Sequence, residues 1–512
     1  MTPPNHPSTD SIPVIDAVED ALHGPAAEVP TAPGRADDMT GTQKLAIYLI
    51  VATFVVMLNE TILGVALTPI MHELQIEPAT GQWLLTSFML TMAIVIPLSG
   101  FLLQRFTTRQ VFLAAIGLFS VGTAVAASAP GFELLLTGRI LQAAGTGVMT
   151  PLLMTTIMTL VPPHQRGKMM GNISIVMAVA PARRPTISGL ILSTFSWRAI
   201  FILVLPLAVG AIVLGLVKLP NVTETRQLAV GVLPIILSAF AFGGLIYGLA
   251  EMGHAVEGAV SIIPPWAIVL FGAASLVGFV LRQIALQKDD RALIDMRIFL
   301  EPGFRYGVIL LAALMAVLFG SIILLPIYSQ SAAGLAELQT GLSVLPGGLL
   351  MGFAGPIVGR LYDRLGPRPL VVPGVSLVAL ALWGMTAFLT EGAPMWVIIA
   401  MHLTLSLGLA ITFTPLFTSA LGAIQPQRYS YASAAVGTAQ QLAGAAGTAL
   451  FIVIYTIAAA TATSQGAGEA AVVTAGTHAA FFAGAIGATA LIPLAFLIRR
   501  PANELAGGHG GH

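Results

Sequence analysis

Cysteine is absent from the 512 residues, and charge is scarce: Asp, Glu, Lys and Arg together make up 9%. The missing thiols exclude disulfides, thiolate metal sites and a cysteine nucleophile. The missing charge excludes a water-soluble surface, for which about 25% charged residues is usual. Net charge is zero, so nothing draws the chain toward nucleic acid. Also missing are a Gly-rich phosphate loop ending in Lys-Ser or Lys-Thr, a metal-ligand cluster and a nucleophile–base arrangement. No enzyme chemistry, no cofactor and no metal site are therefore expected.

What is abundant is apolar: 56% of the residues, with a mean hydropathy of +0.89. The solvent of such a chain is lipid, and a helix needs about 20 apolar residues to cross it. Fourteen runs meet that length, near 43–68, 81–104, 109–130, 133–160, 167–193, 198–219, 228–251, 261–284, 304–329, 340–362, 368–390, 394–422, 430–461 and 474–498. Residues 1–42 are rich in Pro, Asp, Glu and Ala, and 501–512 are rich in Gly; both read as disordered cytoplasmic tails. Of the 23 Lys and Arg, all but Arg139, Arg183, Arg184 and Arg198 fall on one side when the runs are threaded alternately. By the positive-inside rule that side is cytoplasmic, with both termini there.

An internal repeat divides the chain. "GFLLQRFTTR" at 100–109 returns as "GRLYDRLGPR" at 359–368, each in the tight turn after a span, with Gly, Arg and Arg in register. Two six-helix bundles, 43–219 and 291–500, with a two-helix insert at 220–290, follow. Secondary transporters are commonly built this way, with the substrate site at mid-membrane where the repeats meet.

On these residues the chain resembles the major facilitator superfamily, and within it the fourteen-span drug:proton antiporters. The resemblance covers roughly 43–500. "GRLYDRLGPR" matches the family's inner-loop motif through Gly359, Asp363, Arg364, Gly366 and Arg368; the first copy keeps Arg105 and Arg109 but has Gln104 for the acid and Thr107 for the glycine. "LNETILGVALTP", 58–69, resembles the subgroup's first-span signature. "LLTGRILQAAGTG", 135–147, resembles its fourth-span motif, and "APARRPTISG", 180–189, stands where the antiporter motif belongs. The resemblance implies an all-α integral membrane protein of the cell's inner (cytoplasmic) membrane. It would exchange protons for amphipathic drugs or other small organic compounds by alternating access, as a monomer. Two other readings stay open: transport of one endogenous metabolite or lipid in either direction, and a non-transporting receptor or scaffold.

Ionisable groups within spans are functional candidates by default. Glu60, in the outer half of the first span, is the candidate proton carrier, and Arg139, at comparable depth in the fourth, the fixed charge that tunes it. Gly145 and Gly147 allow close helix approach. Asn59, Trp83, Gln142, Met149, His402, Gln440 and Gln441 are candidate cavity residues, although each also has a structural reading as interhelical glue or core. Asp363 and Arg364 are expected to latch the loop to a neighbouring helix, and the first copy, lacking its acid, to latch more weakly. "VPPHQRGKMMGN", 161–172, is explained by retention inside alone.

Pro181, Arg183, Arg184, Pro185 and Gly189 pose a conflict. By the family pattern Arg184 replaces a glycine and Arg183 an apolar residue, at a site that needs close packing. Central arginines cost about 2.5–3.5 kcal/mol each on the insertion scale. Either the pair lines a wet cavity that favours anionic substrates, or it cripples the motif and marks a transport-impaired variant; the second reading is preferred.

Overall fold

The computed structural model describes residues 48–57, 59, 66–67, 69–182, 196–219, 221, 225, 231–256, 263–289 and 291–501. All of them belong to one unit, Leu45–His512. Among the described residues the regular structure is helical throughout, with no strand. In lipid a backbone must satisfy its own N–H and C=O groups, and the helix does so within one segment.

The helices in chain order are α1 (Tyr48–Met57), α2 (Pro78–Arg105), α3 (Thr108–Ala127), α4 (Phe132–Leu160), α5 (Arg166–Ala182), α6 (Arg198–Lys218) and α7 (232–256). They are followed by α8 (Pro265–Leu286), α9 (Pro302–Ser331), α10 (Glu337–Leu365), α11 (Arg368–Phe388), α12 (Met395–Gly422), α13 (Tyr429–Ser464) and α14 (Glu469–Ala495). Twelve helices among the described residues are long and apolar enough to cross a membrane. They coincide with twelve of the fourteen expected spans. The other two, 43–68 and 167–193, fall on segments described only in part. There α1 is apolar but short, and α5 has 17 described residues.

Local chemistry sets the ends. Thr107 caps α3 in a reciprocal box, its hydroxyl accepting from the Gln110 backbone N–H at 3.3 Å while Gln110 Oε1 accepts from the Thr107 N–H at 3.1 Å. Prolines begin α2, α8 and α9, where the missing N–H costs nothing. Gly366 ends α10 at φ +80, which explains the glycine of the "GRLYDRLGPR" turn. Helix α7 contains a π turn at Ala239–Gly243, where it leans on Leu90 and Ile94 of α2.

The packing pattern recurs. Helix α4 packs on α2 and α3, and α3 on α6; eight helices later α12 packs on α10 and α11, and α11 on α14. Four helix pairings join the early helices to the late ones: α5 with α10, the most extensive among the described residues, α2 with α13, and, less extensively, α4 with α13 and α5 with α12. Helix α7 packs on α8, α13 and α2, so the segment expected as an insert lies over the α2–α13 seam.

Candidate functional site

Arg139 is 1% exposed, near the start of α4. Its Nη1 donates to Gln142 Oε1 at 2.9 Å and to Asn59 Oδ1 at 3.3 Å, and its Nε to the Leu84 carbonyl at 3.4 Å. The guanidinium lies 4.1 Å from the centre of the Phe88 ring, a cation–π contact. Gln142 is one turn on, so both side chains share a helix face, and its Nε2 donates to Thr123 Oγ1 of α3 at 2.8 Å. Asn59, Arg139, Gln142 and Thr123 thus form one polar chain inside an apolar bundle. A buried charge is tolerated only when its donors are met, and amide oxygens, a carbonyl and an aromatic face are among the groups that meet them. Two polar atoms, Asn59 Nδ2 in this polar chain and Ser87 Oγ on α2, are buried without a protein hydrogen-bond partner. Such an orphaned donor costs about 1–3 kcal/mol.

Close packing explains the glycines of this region. The ideal Cβ of an alanine at 145 would run into the Ala115 carbonyl of α3, and one at 147 would lie 3.2 Å from Val95 Cβ of α2. Met149, expected in a cavity, is 1% exposed and belongs to the packed core.

The remaining cavity candidates are dispersed. Trp83 faces α7, its indole stacked on Tyr247 at 5.8 Å and 27°, while the α2 positions that meet Arg139 are Leu84 and Phe88. Gln441 lies at the α2–α13 seam with Nε2 3.9 Å from Met92 Sδ, and Gln440 Nε2 is buried without a partner. His402 of α12 packs its ring edge against Gly347 of α10 and makes a backbone hydrogen bond with Val344, leaving Nδ1 buried and unpartnered. Pro181 lies in the last turn of α5. Glu60, Arg183, Arg184, Pro185 and Gly189 lie outside the described residues.

A second set gathers at the end of the molecule where the basic connections meet. The Asp363 carboxylate accepts from the backbone N–H groups of Gly167 and Lys168, both at 2.9 Å. These are first-turn donors of α5, so an acid on α10 caps a helix from across the seam. The approach is possible because Gly359 and Gly355 of α10 lie on Gly167 and Gly171 of α5; any Cβ at these positions would collide with the facing backbone or with Asp363. The Asp363 carbonyl accepts from Arg500 Nη2, and Arg368 stacks over Phe496. Arg364 is exposed. In the first copy Gln104 occupies the corresponding corner. Its Nε2 donates to Ser430 Oγ at 3.0 Å and the Gln427 carbonyl at 3.3 Å, at the start of α13. Arg109 donates to the Leu216 carbonyl, and Arg105 lies over Phe106.

Sequence reasoning missed several partners. Thr123, Asp295 and Arg166 carry no motif; only the elements packed beside them reveal them. Asp295, 3% exposed, pairs with Arg297 at 2.8 Å and with Arg428, the N-cap of α13, at 3.1 Å.

A model described as Major Facilitator Superfamily matches residues 49–448. The chain is 39% identical over 412 residues to the lincomycin resistance protein LmrB of Bacillus subtilis (strain 168), covering 80% of this chain and 85% of that one. It is 35% identical over 453 residues to the MFS-type transporter YcnB of the same organism, covering 88% and 94%. Its fold is similar to that of the proton:xylose symporter XylE, with a TM-score of 0.61 at 13% identity over 92% of this chain and 99% of that one.

Proposed function

Because this chain belongs to the Major Facilitator Superfamily, a family of multi-pass membrane transporters and not of enzymes, we propose that it exports drug-like amphipathic compounds in exchange for protons. The resistance proteins among its relatives support a drug as cargo, and lincomycin is the first compound to try. The observation that carries the coupling is the buried Arg139 bound to Asn59. Glu60 is the residue after Asn59 in sequence, and a carboxylate within reach of a fixed, desolvated guanidinium can exchange a proton for the cation's attraction. Arg139, Asn59 and Gln142 would hold the geometry, and Glu60 would carry the proton.

In this reading the chain has fourteen spans, with α1 and α5 completing the first and fifth. Two six-helix bundles, 43–219 and 291–500, are separated by an insert at 220–290, in keeping with the packing pattern that recurs eight helices apart. The protein sits in the cytoplasmic membrane, works as a monomer and has its basic end and both termini in the cytoplasm. The contacts of Asp363 and Gln104 then close the cytoplasmic side, and transport requires them to part, so that the site alternates between two faces.

Proteoliposomes with a lincomycin or ethidium load and an imposed proton gradient test this. Parent protein should release protons on substrate addition and lose transport when the gradient is collapsed. Glu60→Gln and Arg139→Gln should each abolish gradient-driven export, a loss of about 100-fold or more. Proton-coupled export that survives Glu60→Gln removes the carrier assignment. Binding without any flux favours a receptor.

A further inference from the structure

The α4–α5 connection reads as a basic loop that needs no function beyond retention on one side. Its Arg166 is nevertheless 6% exposed. Arg166 Nη2 donates to the Met158 carbonyl at 2.8 Å and Nε to the Val161 carbonyl at 3.2 Å, at the C-terminal end of α4. A cation there complements the helix dipole. The same guanidinium lies 5.6 Å from the centre of the Tyr429 ring, the first residue of α13, which is 2% exposed. Its Nη1 is buried with no hydrogen-bond partner.

Arg166 belongs to the α4–α5 corner and Tyr429 to the α12–α13 corner. Tyr429 is also the residue beside Ser430, which Gln104 holds. This is the corner where the inner-loop motif has lost its acid, and where α13 begins with no side-chain cap and no acidic residue in its first turn. A cation desolvated against an aromatic face attracts it strongly, and the contact is available only while the two corners touch. We infer that Arg166 and Tyr429 form a cation–π latch that closes the basic end at α13, standing in for the acid that Gln104 replaces. The inference rests on the alternating-access reading above. When the basic end opens, Arg166 reaches water and the latch is lost, so its strength sets how readily the closed state opens.

The chain has no cysteine, so a single reporter can be placed on the full-length protein. Ser174→Cys suits, because Ser174 Oγ lies 2.9 Å from Thr414 Oγ1, inside the seam between α5 and α12. The readout is the rate of labelling by a membrane-impermeant maleimide applied from the basic side of vesicles. Tyr429→Leu and Arg166→Gln should each raise the rate about fivefold or more. The double variant should label no faster than Arg166→Gln alone. Tyr429→Phe, which keeps the ring, should label at the parent rate, and Arg166→Lys should fall between. The comparison of Tyr429→Phe with Tyr429→Leu stands even if Arg166→Gln fails to fold. A parent-like rate in Tyr429→Leu overturns the latch, as does a double variant whose effect is the product of the singles. Asp363→Asn in the same background separates the two levels. If it labels faster while Tyr429→Leu does not, only the latch fails. If neither changes the rate, the closed basic end itself is not a transport state.

Discussion

At the corner where α10 meets α5, a carboxylate sits on two backbone N–H groups of a helix start; at the corner where α2 meets α13, an amide gives hydrogen bonds to a carbonyl and a hydroxyl. The first uses the dipole of the helix it caps, and charge-assisted bonds of this kind are about twice as strong as neutral ones. The second uses only neutral bonds and leaves the α13 N-terminus without an acid. The backbones differ as well. Glycine faces glycine at α5–α10, whereas Gly100 of α2 faces Ala434 and the Ser430–Tyr431 backbone at ordinary to tight contact. One repeated sequence motif therefore gives two different sets of contacts, charge-assisted at one corner and neutral at the other, and a difference of one side chain, Asp against Gln, accounts for much of it. The α13 corner has further contacts of its own: Asp295 pairs with Arg428 at the N-cap of α13, and Arg166 reaches Tyr429.

Three tests, using five substitutions, would break or sharpen this contrast. The largest effect is expected from Gly359→Val, whose branched side chain has no room against Gly167; overpacking costs about 1–3 kcal/mol or more. Vesicle export should fall to about a tenth or less, while Gly100→Ala should keep more than about half, since its new Cβ meets Ala434 Cβ at 3.1 Å. Equal losses, with the smaller side chain at 100, would show that the α2–α13 seam is at least as tight as α5–α10. Next is Asp363→Asn, which keeps the shape but removes the charge from two N–H donors. Export should drop about five- to tenfold, against about twofold for Gln104→Ala; a larger effect of Gln104→Ala would reverse the ranking of the corners. The smallest is Gln104→Glu. An acid near the α13 start gains about 0.3–1 kcal/mol from the dipole, so it should hold the basic end closed longer. Labelling of a Ser174→Cys reporter should slow about twofold, and a faster rate would contradict the dipole account.

Much of the molecule was legible in advance. Run length alone gave the twelve helices seen to be long enough to span, because lipid leaves a chain little else to form. Arg139 was legible because a lone charge in an apolar helix is rare, and Asp363 because it stands in a repeated motif. Trp83 was less legible. Its position in α2 is clear, but it stacks on Tyr247 of α7, far along the chain. Arg166 was legible only as a topological signal, since a basic residue next to a span looks the same in sequence whether it meets water or a tyrosine.

Composition by itself determined the solvent, the helical class, the approximate span ends and which end of the molecule is basic, because these depend on local hydropathy and on where charge can be tolerated. Tertiary structure decided which groups meet: that Arg139 binds Asn59, that Asp363 reaches α5, and that Gln104 reaches α13. These contacts join residues from 80 to 326 positions apart, or depend on which face of a helix a neighbour covers. Such proximity is a property of packed backbones, held here by glycines that let two helices touch.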